Sequence, residues 1–419
     1  MKKLLLSISI IVGLSLLASC GLEKEYKPDI KVNEKNVSLK VWVDLNQGDF
    51  YRKVVEDFKK EHPDKDYDIT VIESESGRAQ EYVQKDPEAA ADVFITPNDR
   101  LGQLVESGAV YQLTKYTDDI KKNNTPTSIQ AATYQDKMYG FPVTAEAMFM
   151  YYDKRVFSED DIKTFSGITS KGKLGINLAE AGADYRETPW FIANGTYLYG
   201  ENGEDPYGTT FNTPEGVQVL NWIGELKNNP NIVAVNADEI SALRSGKINA
   251  VFSGVWNKDA IREVLGENMG VAVYPKADFG SGQVDMMAFQ GSGQVDMMAF
   301  QGSGIYCVNA FTKSPLDAME LADYITNADV QEKAFKELGK IPSNLEARTS
   351  STVEKDDVAK AVIDMTSGKH SVLMPKIPEM NVFWQHMNPL LVDTYKGKIK
   401  KEDYPEALDK LVKDITPAK

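Results

Sequence analysis

The sequence has little cysteine, little histidine and none of the common catalytic signatures. Its two cysteines, Cys20 and Cys307, cannot build a disulfide framework, and its three histidines stand too far apart to give a metal-ligand spacing. The motifs GxSxG, GxGxxG, GxxxxGKS/T and HExxH do not occur. These absences argue against a disulfide-stapled scaffold, a local zinc site and the motif-marked enzyme classes. We predict neither a metal nor any other cofactor.

Positive charge is also scarce. Lys and Arg number 47 against 62 Asp and Glu, which gives a formal charge of −15 at pH 7. A chain this acidic repels phosphate backbones, so we do not expect nucleic acid as a partner. Apolar residues make up 42% of the chain, an ordinary fraction for a globular protein, and 419 residues predict two or three domains.

Long hydrophobic runs are confined to the N-terminus. Lys2 and Lys3 precede an apolar stretch over residues 4–17, which is too short to span a bilayer and is typical of a secretory signal. The sequence LASCG that follows resembles the lipobox of bacterial lipoproteins. We therefore predict a lipoprotein signal peptide over 1–19, lipidation of Cys20, a flexible tether over 20–37 and a position on the extracellular face of the bacterial cell membrane. The alternative is an ordinary secretory signal.

The body of the chain alternates strand and helix patterns. Residues 39–43, 67–73 and 91–95 are short apolar runs, and an amphipathic helix pattern over 51–58 separates the first two. This order predicts an α/β fold with a parallel sheet, in which ligands bind beyond the carboxyl ends of the strands. The residues at those ends are 44–47 and 96–100.

A second region begins near residue 147 with its own strand and helix patterns, and it is long enough to form a separate lobe. Within it, GSGQVDMMAFQ occupies 280–290 and again 291–301. A repeat of this length in two copies is not a solenoid. We expect one copy to take its place in the fold and the other to loop out, because the strand expected over 305–309 can pair in only one register.

Four of the five tryptophans divide into two pairs. Trp42 lies inside a predicted strand and Trp222 inside a predicted helix, which favours core packing for both. Trp256 follows a strand at its carboxyl end, and Trp384 opens a helix. For these two the pattern leaves core packing and stacking on a sugar ring equally open.

Two carboxylates have more than one interpretation. Asp99 is placed to cap the helix that carries Leu101 or to bind a ligand. Asp99 and Glu146 are also candidates for the acid pair of a glycosidase, although sequence alone does not give their separation. Cys307, in the apolar run 305–309, is predicted to be a buried and unreactive strand residue.

Several segments in a fixed order resemble one family. They are ADVFITPNDRLGQLVESGAVYQL, DKMYGFPVTAEAMFMYYDKRV, ALRSGKINAVFSGVW and SGKHSVLMPKIPEMNVFW. The chain is similar to extracellular solute-binding proteins of oligosaccharide ABC importers, and most similar to maltose- and maltodextrin-binding proteins. The resemblance implies a two-lobed, periplasmic-binding-protein-like fold of type II with a hinge. Its lobes are discontinuous: an N-lobe over 38–145 and 305–354, and a C-lobe over 146–304 and 355–419.

The resemblance also implies which residues bind the sugar. The positions that it assigns are Asn46, Gln47, Asp99, Arg100, Glu146, Tyr185, Trp256, Trp384 and Gln385. Some positions depart from the family pattern. Thr96 replaces an aromatic residue, Asn46 and Gln47 replace an acid–lysine pair, and Gln385 and Asn388 replace an aromatic residue and an arginine. Fewer stacking surfaces remain, which leaves room for oligosaccharides other than maltose.

The function implied is that of a lipid-anchored, monomeric binding component of an ABC importer. Its partners would be an oligosaccharide, such as maltodextrin or a related α-glucan, the membrane permease subunits and the membrane itself through the N-terminal lipid. No catalytic residue is predicted. Two alternatives remain: a surface-anchored glycoside hydrolase acting on the same sugars, and a structural surface adhesin.

Overall fold

A computed structural model describes residues 34–280 and 293–418. The predicted signal peptide, Cys20 and most of the predicted tether lie outside these residues. In chain order the strands β1 to β17 are Asn36–Val43, Asp66–Glu73, Val93–Pro97, Thr133–Tyr134, Lys137–Met138, Gly140–Pro142, Glu146–Ala147, Phe149–Asp153, Leu174–Ile176, Ile232–Ala234, Ala250–Ser253, Met269–Ala272, Lys276–Ala277, Val295–Asp296, Ala299–Gly302, Gly304–Val308 and Ser371–Leu373.

The α-helices α1 to α18 are interspersed with the strands and cover the sheet faces. In chain order they are Gly48–Glu61, Ala79–Lys85, Leu101–Glu106, Thr117–Asn123, Pro126–Ala131, Phe165–Lys171, Ala183–Glu187, Pro189–Ala193, Pro214–Leu226, Glu239–Arg244, Lys258–Leu265, Pro315–Ile325, Ala328–Leu338, Leu345–Arg348, Ser351–Glu354, Asp357–Thr366, Met380–Tyr395 and Tyr404–Ile415.

The first sheet has the strand order β2-β1-β3-β16-β6. β1 pairs in parallel with β2 and β3, as the alternating pattern predicted, and the apolar side of α1 is buried against this sheet. β16 then adds an antiparallel strand between β3 and β6. β1 begins at Asn36, so Asn36 and Val37, the last two residues of the predicted tether, belong to the sheet and pair with Asp66 and Tyr67.

The second sheet has the order β10-β9-β11-β8-β12. β9, β10 and β11 are parallel, whereas β8 runs antiparallel to β11 and β12. Trp222, on α9, contacts the rings of Phe165, Trp190 and Phe279, and Trp42 contacts two further rings in the first sheet's region. The prediction that Trp42 and Trp222 pack against the core is therefore confirmed.

A small third sheet, β17-β15-β7, lies where the chain passes between the two larger sheets. β7 comes between β6 of the first sheet and β8 of the second, and β15 leads directly into β16. Thr144 joins these two crossings, because its hydroxyl accepts the N–H of Gly304 at 2.9 Å. Cys307, on β16, is buried and free, as predicted.

The second copy of the repeat is built into this region. Val295–Asp296 pairs with Lys276–Ala277, Met297 is buried, and Ala299–Gly302 forms β15. Residues 281–290, which make up nearly all of the first copy, lie outside the described part of the chain. The sheet position is therefore occupied by the copy at 291–301.

Candidate functional site

A cavity of about 240 Å³ lies beside the crossing segments. It is bounded by the carboxyl ends of β1 and β3, by the crossings around Thr144 and Ser303, and by Tyr185 from α7. Further lining residues are Tyr51, Ser76, Ile95, Pro97, Val143, Gln331, Ala334, Lys340 and Met374. The strand ends border the cavity because the parallel strands of the first sheet all end on this side.

The end of β1 contributes the polar side chains of Asp44 and Gln47. Asp44 Oδ1 accepts the N–H of Ser76 at 3.3 Å, which fixes the loop at this edge of the cavity. Gln47 is almost completely buried and lines the cavity. Its amide makes no hydrogen bond with any described residue, so it can serve a ligand. Asn46 has a φ of 62° and is exposed, outside the cavity lining.

Glu146 and Tyr185 approach the cavity from the crossing and from α7. Glu146 lies on β7, where its backbone pairs with Gly302, and Tyr185 lies on the five-residue helix α7. Burial, together with the negative charges of Glu146 and Asp99, raises the pKa of Tyr185 above its usual range. The phenol therefore stays protonated at neutral pH and can donate a hydrogen bond, while the carboxylate accepts one.

An aromatic cluster extends from Tyr185 behind the cavity. The ring of Tyr185 lies 6.3 Å from that of Phe300, and Phe300 meets Trp384 edge-on at 6.0 Å. Trp384 also contacts Phe383 at 5.1 Å and is half-buried, whereas Gln385 is exposed. Trp384 is linked to the cavity through Phe300 and does not line it.

Asp99 and Arg100 lie on a short 3-10 helix that follows β3. Asp99 is buried, and this burial raises its pKa while the charge of Arg100 lowers it. Arg100 Nη1 donates to Asn381 Oδ1 at 2.6 Å, and Arg100 Nε lies 3.5 Å from Asp99 Oδ2. The interpretation of Asp99 as a helix cap is wrong, because α3 begins after Arg100 and no side chain caps it. Neither residue lines the cavity.

Trp256 follows β11 through Gly254 and is 53% exposed. A Cβ added to Gly254 would lie 2.1 Å from the indole of Trp256, so the ring lies against this glycine. The structure thus leaves a large part of the indole open to solvent, as a stacking surface requires. Trp256 also lies outside the cavity lining.

Of the nine predicted sugar-binding residues, the cavity brings together Gln47, Glu146 and Tyr185. Sequence reasoning did not identify Thr144, Lys340 or Gly302–Gly304, which also line the cavity. The only available signal for the glycines was their place in the predicted crossing between lobes. Asp44 and Thr96 belong to the predicted strand ends, and both line the cavity.

Two general features of the described residues bear on function. They contain no group of three or more His, Cys, Asp and Glu side chains placed to hold a metal ion. None of their helices combines the length and the apolar character needed to cross a membrane.

Two known sequences are similar to the chain over most of its length. A galactooligosaccharide-binding protein of Bacillus subtilis is 27% identical over 95% of this chain and 92% of its own. A maltooligosaccharide ABC transporter solute-binding lipoprotein of Streptococcus pneumoniae is 23% identical over 91% and 90%. Both are named as binding proteins.

A solved structure is similar as well. A maltodextrin-binding protein from L. casei, determined without ligand, matches with a TM-score of 0.84 and 35% identity, and the match covers 92% of this chain and 100% of that one. The predicted two-lobed α/β fold and the predicted resemblance are confirmed by this match.

The two sheets, the crossing segments and the polar cavity beside them define a two-lobed ligand-binding protein. The family model for bacterial extracellular solute-binding proteins matches residues 53–361, and the chain belongs to that family. It is a binding protein and not an enzyme, and the glycoside hydrolase alternative finds no support among its relatives.

Proposed function

We propose that the protein is the lipid-anchored binding component of an ABC importer and captures oligosaccharides. The observation that carries this proposal is the cavity in which the Gln47 amide, the Glu146 carboxylate and the Tyr185 phenol converge. Amide, carboxylate and phenol groups are suited to sugar hydroxyls, and aromatic rings to the apolar faces of pyranoses. The relatives are named for binding maltooligosaccharide, maltodextrin or galactooligosaccharide, and these names support the same class of ligand.

The preferred ligand under this proposal is a maltodextrin or a related α-glucan. The solved maltodextrin-binding structure, 35% identical to the chain, supports this choice, and the galactooligosaccharide-binding relative, 27% identical, is the basis of the competing choice. Calorimetry with maltose, maltotetraose, maltohexaose, a cyclodextrin and a galactooligosaccharide would rank them. Tightest binding of a maltodextrin or a cyclodextrin would support the proposal, and tightest binding of the galactooligosaccharide would overturn the α-glucan assignment.

The residues proposed to bind the sugar form two groups. Gln47, Glu146 and Tyr185 contact the part of the sugar inside the cavity. The remaining positions, which we propose to act when the lobes close over a longer ligand, are Asn46, Asp99, Arg100, Trp256, Trp384 and Gln385. Support comes from the open indole face of Trp256 and from the ring contacts that tie Trp384 through Phe300 to Tyr185.

We propose lobe boundaries at 38–145 with 305–354 and at 146–304 with 355–419. The membership of the sheets supports them, because β1 to β3 and β16 share the first sheet while β8 to β12 form the second. Closure about the crossings would bring the two sides of the cavity together over the ligand.

Anchoring and transport are proposed from the N-terminal sequence and the relatives. Cys20 would carry lipid and hold the binding domain, as a monomer, near the permease subunits of the importer. The name of the Streptococcus pneumoniae relative includes the word lipoprotein. A Cys20→Ala protein should leave the membrane fraction of the cell and should still bind sugar, and retention in the membrane fraction would show that the tether lies elsewhere.

Hydrolysis is tested directly by the fate of the sugar. Maltohexaose incubated with an equimolar amount of the purified protein should be recovered at its original length. The appearance of shorter maltodextrins, removed by Glu146→Gln, would instead identify a glycosidase.

A further inference from the structure

Glu239, on α10, is a buried carboxylate with no place in the sugar-binding positions described so far. It is 3% exposed and is the first residue of its helix. Its Oε2 accepts from Arg186 Nη1 at 2.8 Å, and its Oε1 accepts from Ser253 Oγ at 2.9 Å and from the amide of Asn257. Both oxygens are therefore in use, one for each of two chain segments.

Those two segments carry two of the three aromatic residues that are proposed to bind the sugar. Arg186 directly follows Tyr185 on α7, and Asn257 directly follows Trp256 in the turn after β11. Arg186 Nη1 also donates to the carbonyl of Phe252 on β11 at 3.3 Å. One carboxylate thus joins the segment of Tyr185 to the segment of Trp256.

The turn that carries Trp256 is also held by hydrogen bonds that do not involve Glu239. Tyr151 donates its hydroxyl to the carbonyl of Gly254 at 3.1 Å, and Asn257 donates to Ser253 Oγ at 3.0 Å. The indole itself lies against Gly254. The direction in which the ring faces therefore depends on the backbone of residues 253–257, and Glu239 holds the side chains of Ser253 and Asn257 at the two ends of this turn.

We propose that Glu239 is a positioning residue for sugar binding, which sets the relative placement of Tyr185 and Trp256 so that one oligosaccharide contacts both. This inference rests on the proposed function, in which both aromatic residues bind the sugar. One carboxylate oxygen of Glu239 accepts from a guanidinium, and the other accepts from an amide and a hydroxyl. A glutamine side chain has only one acceptor oxygen, so it cannot reproduce this bridge.

Glu239→Gln is the first test, since it keeps the shape and turns one acceptor into a donor, which then faces either the guanidinium of Arg186 or the side chains of Ser253 and Asn257. Calorimetry with maltotetraose should show at least a tenfold loss of affinity. Asp317→Asn is the matched control, because Asp317 is a buried carboxylate, 4% exposed, that accepts from Lys65 at 2.5 Å and from Tyr67 at 2.8 Å away from the cavity. The control should bind maltotetraose within twofold of the wild type.

A double-mutant cycle separates positioning from loss of stability. In a Trp256→Ala background, Glu239→Gln should cost clearly less than it does in the wild type, since part of its effect passes through the indole. Independent, multiplying effects of the two changes, or unchanged affinity in a folded Glu239→Gln protein, would overturn the inference.

A ligand-free measurement keeps the inference testable if maltotetraose is the wrong sugar. The near-UV circular dichroism of Trp256, obtained by subtracting the spectrum of the matching Trp256→Phe protein, should change in Glu239→Gln and stay unchanged in Asp317→Asn. An unchanged signal would overturn the positioning role. If Glu239→Gln does not fold, Asn257→Ala, which removes one arm of the bridge, should alter the same signal, and an unchanged signal would count against the inference equally.

A failure of the proposed function can be distinguished from a failure of the positioning role. If the wild-type protein binds no oligosaccharide, the function is wrong whatever the spectra show. If the wild type binds and Trp256→Ala binds more weakly while Glu239→Gln is indistinguishable from the wild type, only the positioning role is wrong.

Discussion

At the scale of single residues, two tryptophans with the same indole have opposite surroundings. Trp256 is 53% exposed and lies against Gly254, whereas Trp222 meets three other aromatic rings inside its half of the molecule. The exposed ring contributes little to folding and has a free face for a ligand. The ring of Trp222 is partly buried and contributes to folding through these ring contacts.

Replacing each ring by alanine should separate binding from packing. Trp256→Ala should cost ~2 kcal/mol of binding free energy, about thirtyfold in dissociation constant, and leave the unfolding midpoint nearly unchanged. Trp222→Ala should lower the free energy of unfolding by ~3 kcal/mol and leave affinity nearly unchanged in the folded fraction. Calorimetry and urea unfolding measure the two effects, and equal affinity of both variants for the best ligand would remove Trp256 from the site.

Glu187 is a second residue whose surroundings make a specific prediction. It is fully buried, its Oε1 accepts the N–H of Asn177 at 3.1 Å, and its Oε2 has no partner among the described residues. Burial raises its pKa well above the usual range. The native state therefore holds this proton more tightly than the unfolded chain does, and the native state loses stability as the pH rises above the unfolded pKa.

Glu187→Gln should remove that pH dependence. The gap in unfolding free energy between variant and wild type should widen in favour of the variant from pH 5 upward, by at most ~1.4 kcal/mol per pH unit until the native pKa is reached. Thermal unfolding at pH 5, 6.5 and 8 measures it, with the exposed Glu201→Gln as the control whose gap stays constant. A constant gap for Glu187→Gln would show that the carboxyl is ionised and compensated in the native state.

At the scale of elements, the repeat poses the clearest question. Two identical eleven-residue copies compete for one position, and the copy at 291–301 fills it with β14, the buried Met297 and β15. The equivalent of Met297 in the other copy is Met286. The two methionines differ in position along the chain and not in local sequence.

Replacing each of these two methionines by aspartate, in separate proteins, should show which copy is built into the fold. Met297→Asp should lower the free energy of unfolding by ~4 kcal/mol or more, because it places a charge in the core. Met286→Asp should change it by less than ~0.5 kcal/mol. Urea unfolding of both variants, with deletion of 280–290 as a reference, decides the matter. Comparable small effects of the two substitutions would mean that either copy can occupy the sheet.

The elements that sequence predicted well are those specified by local patterns. The parallel β1, β2 and β3 and the helix α1 all follow from short-range periodicity. Sequence placed the third strand at 91–95, whereas β3 runs to Pro97. Its last residues are paired by Ile305 and Gly304, and no local pattern contains that distant partner.

The residues of the candidate site also divide into those that the sequence indicates and those that depend on tertiary contacts. Gln47 stands at a predicted strand end, and the family resemblance assigns Glu146 and Tyr185 to the sugar; all three line the cavity. Thr144 and Gly302–Gly304 line it because two distant crossings are hydrogen-bonded to each other, which sequence does not reveal. The burial of Asp99 and the exposure of Asn46 are likewise tertiary properties, set by what packs against each strand end.

At the scale of the whole molecule, a buried lysine joins segments that are far apart in the chain. Lys376 is 1% exposed, and its ammonium donates to the carbonyls of Gln130 at 2.7 Å and Thr133 at 2.5 Å and to Glu204 Oε1 at 2.8 Å. Burial lowers its pKa, and the carboxylate of Glu204 opposes that shift. Under the proposed boundaries, the carbonyls belong to the N-lobe and Glu204 to the C-lobe.

Lys376→Met should therefore weaken the whole fold. It leaves two carbonyls and a carboxylate without their donor, which costs ~3 kcal/mol of unfolding free energy when a buried ion pair loses one member. Lys398→Met is the control, because Lys398 forms an exposed pair with Asp393 and should cost less than ~1 kcal/mol. Guanidinium unfolding measures both, and equal small losses would show that the buried ammonium contributes no net stability.

The central claim is that the cavity beside the crossing segments binds an oligosaccharide, and calorimetry on the wild type and on Tyr185→Ala tests it most directly. The wild type should bind one molecule of its best ligand from the maltodextrin series with saturable heat. Tyr185→Ala removes a phenol from the cavity wall and should bind at least ~30-fold more weakly, about 2 kcal/mol, while it remains folded. Equal affinity in the two proteins, or no saturable heat from any sugar, would contradict the account.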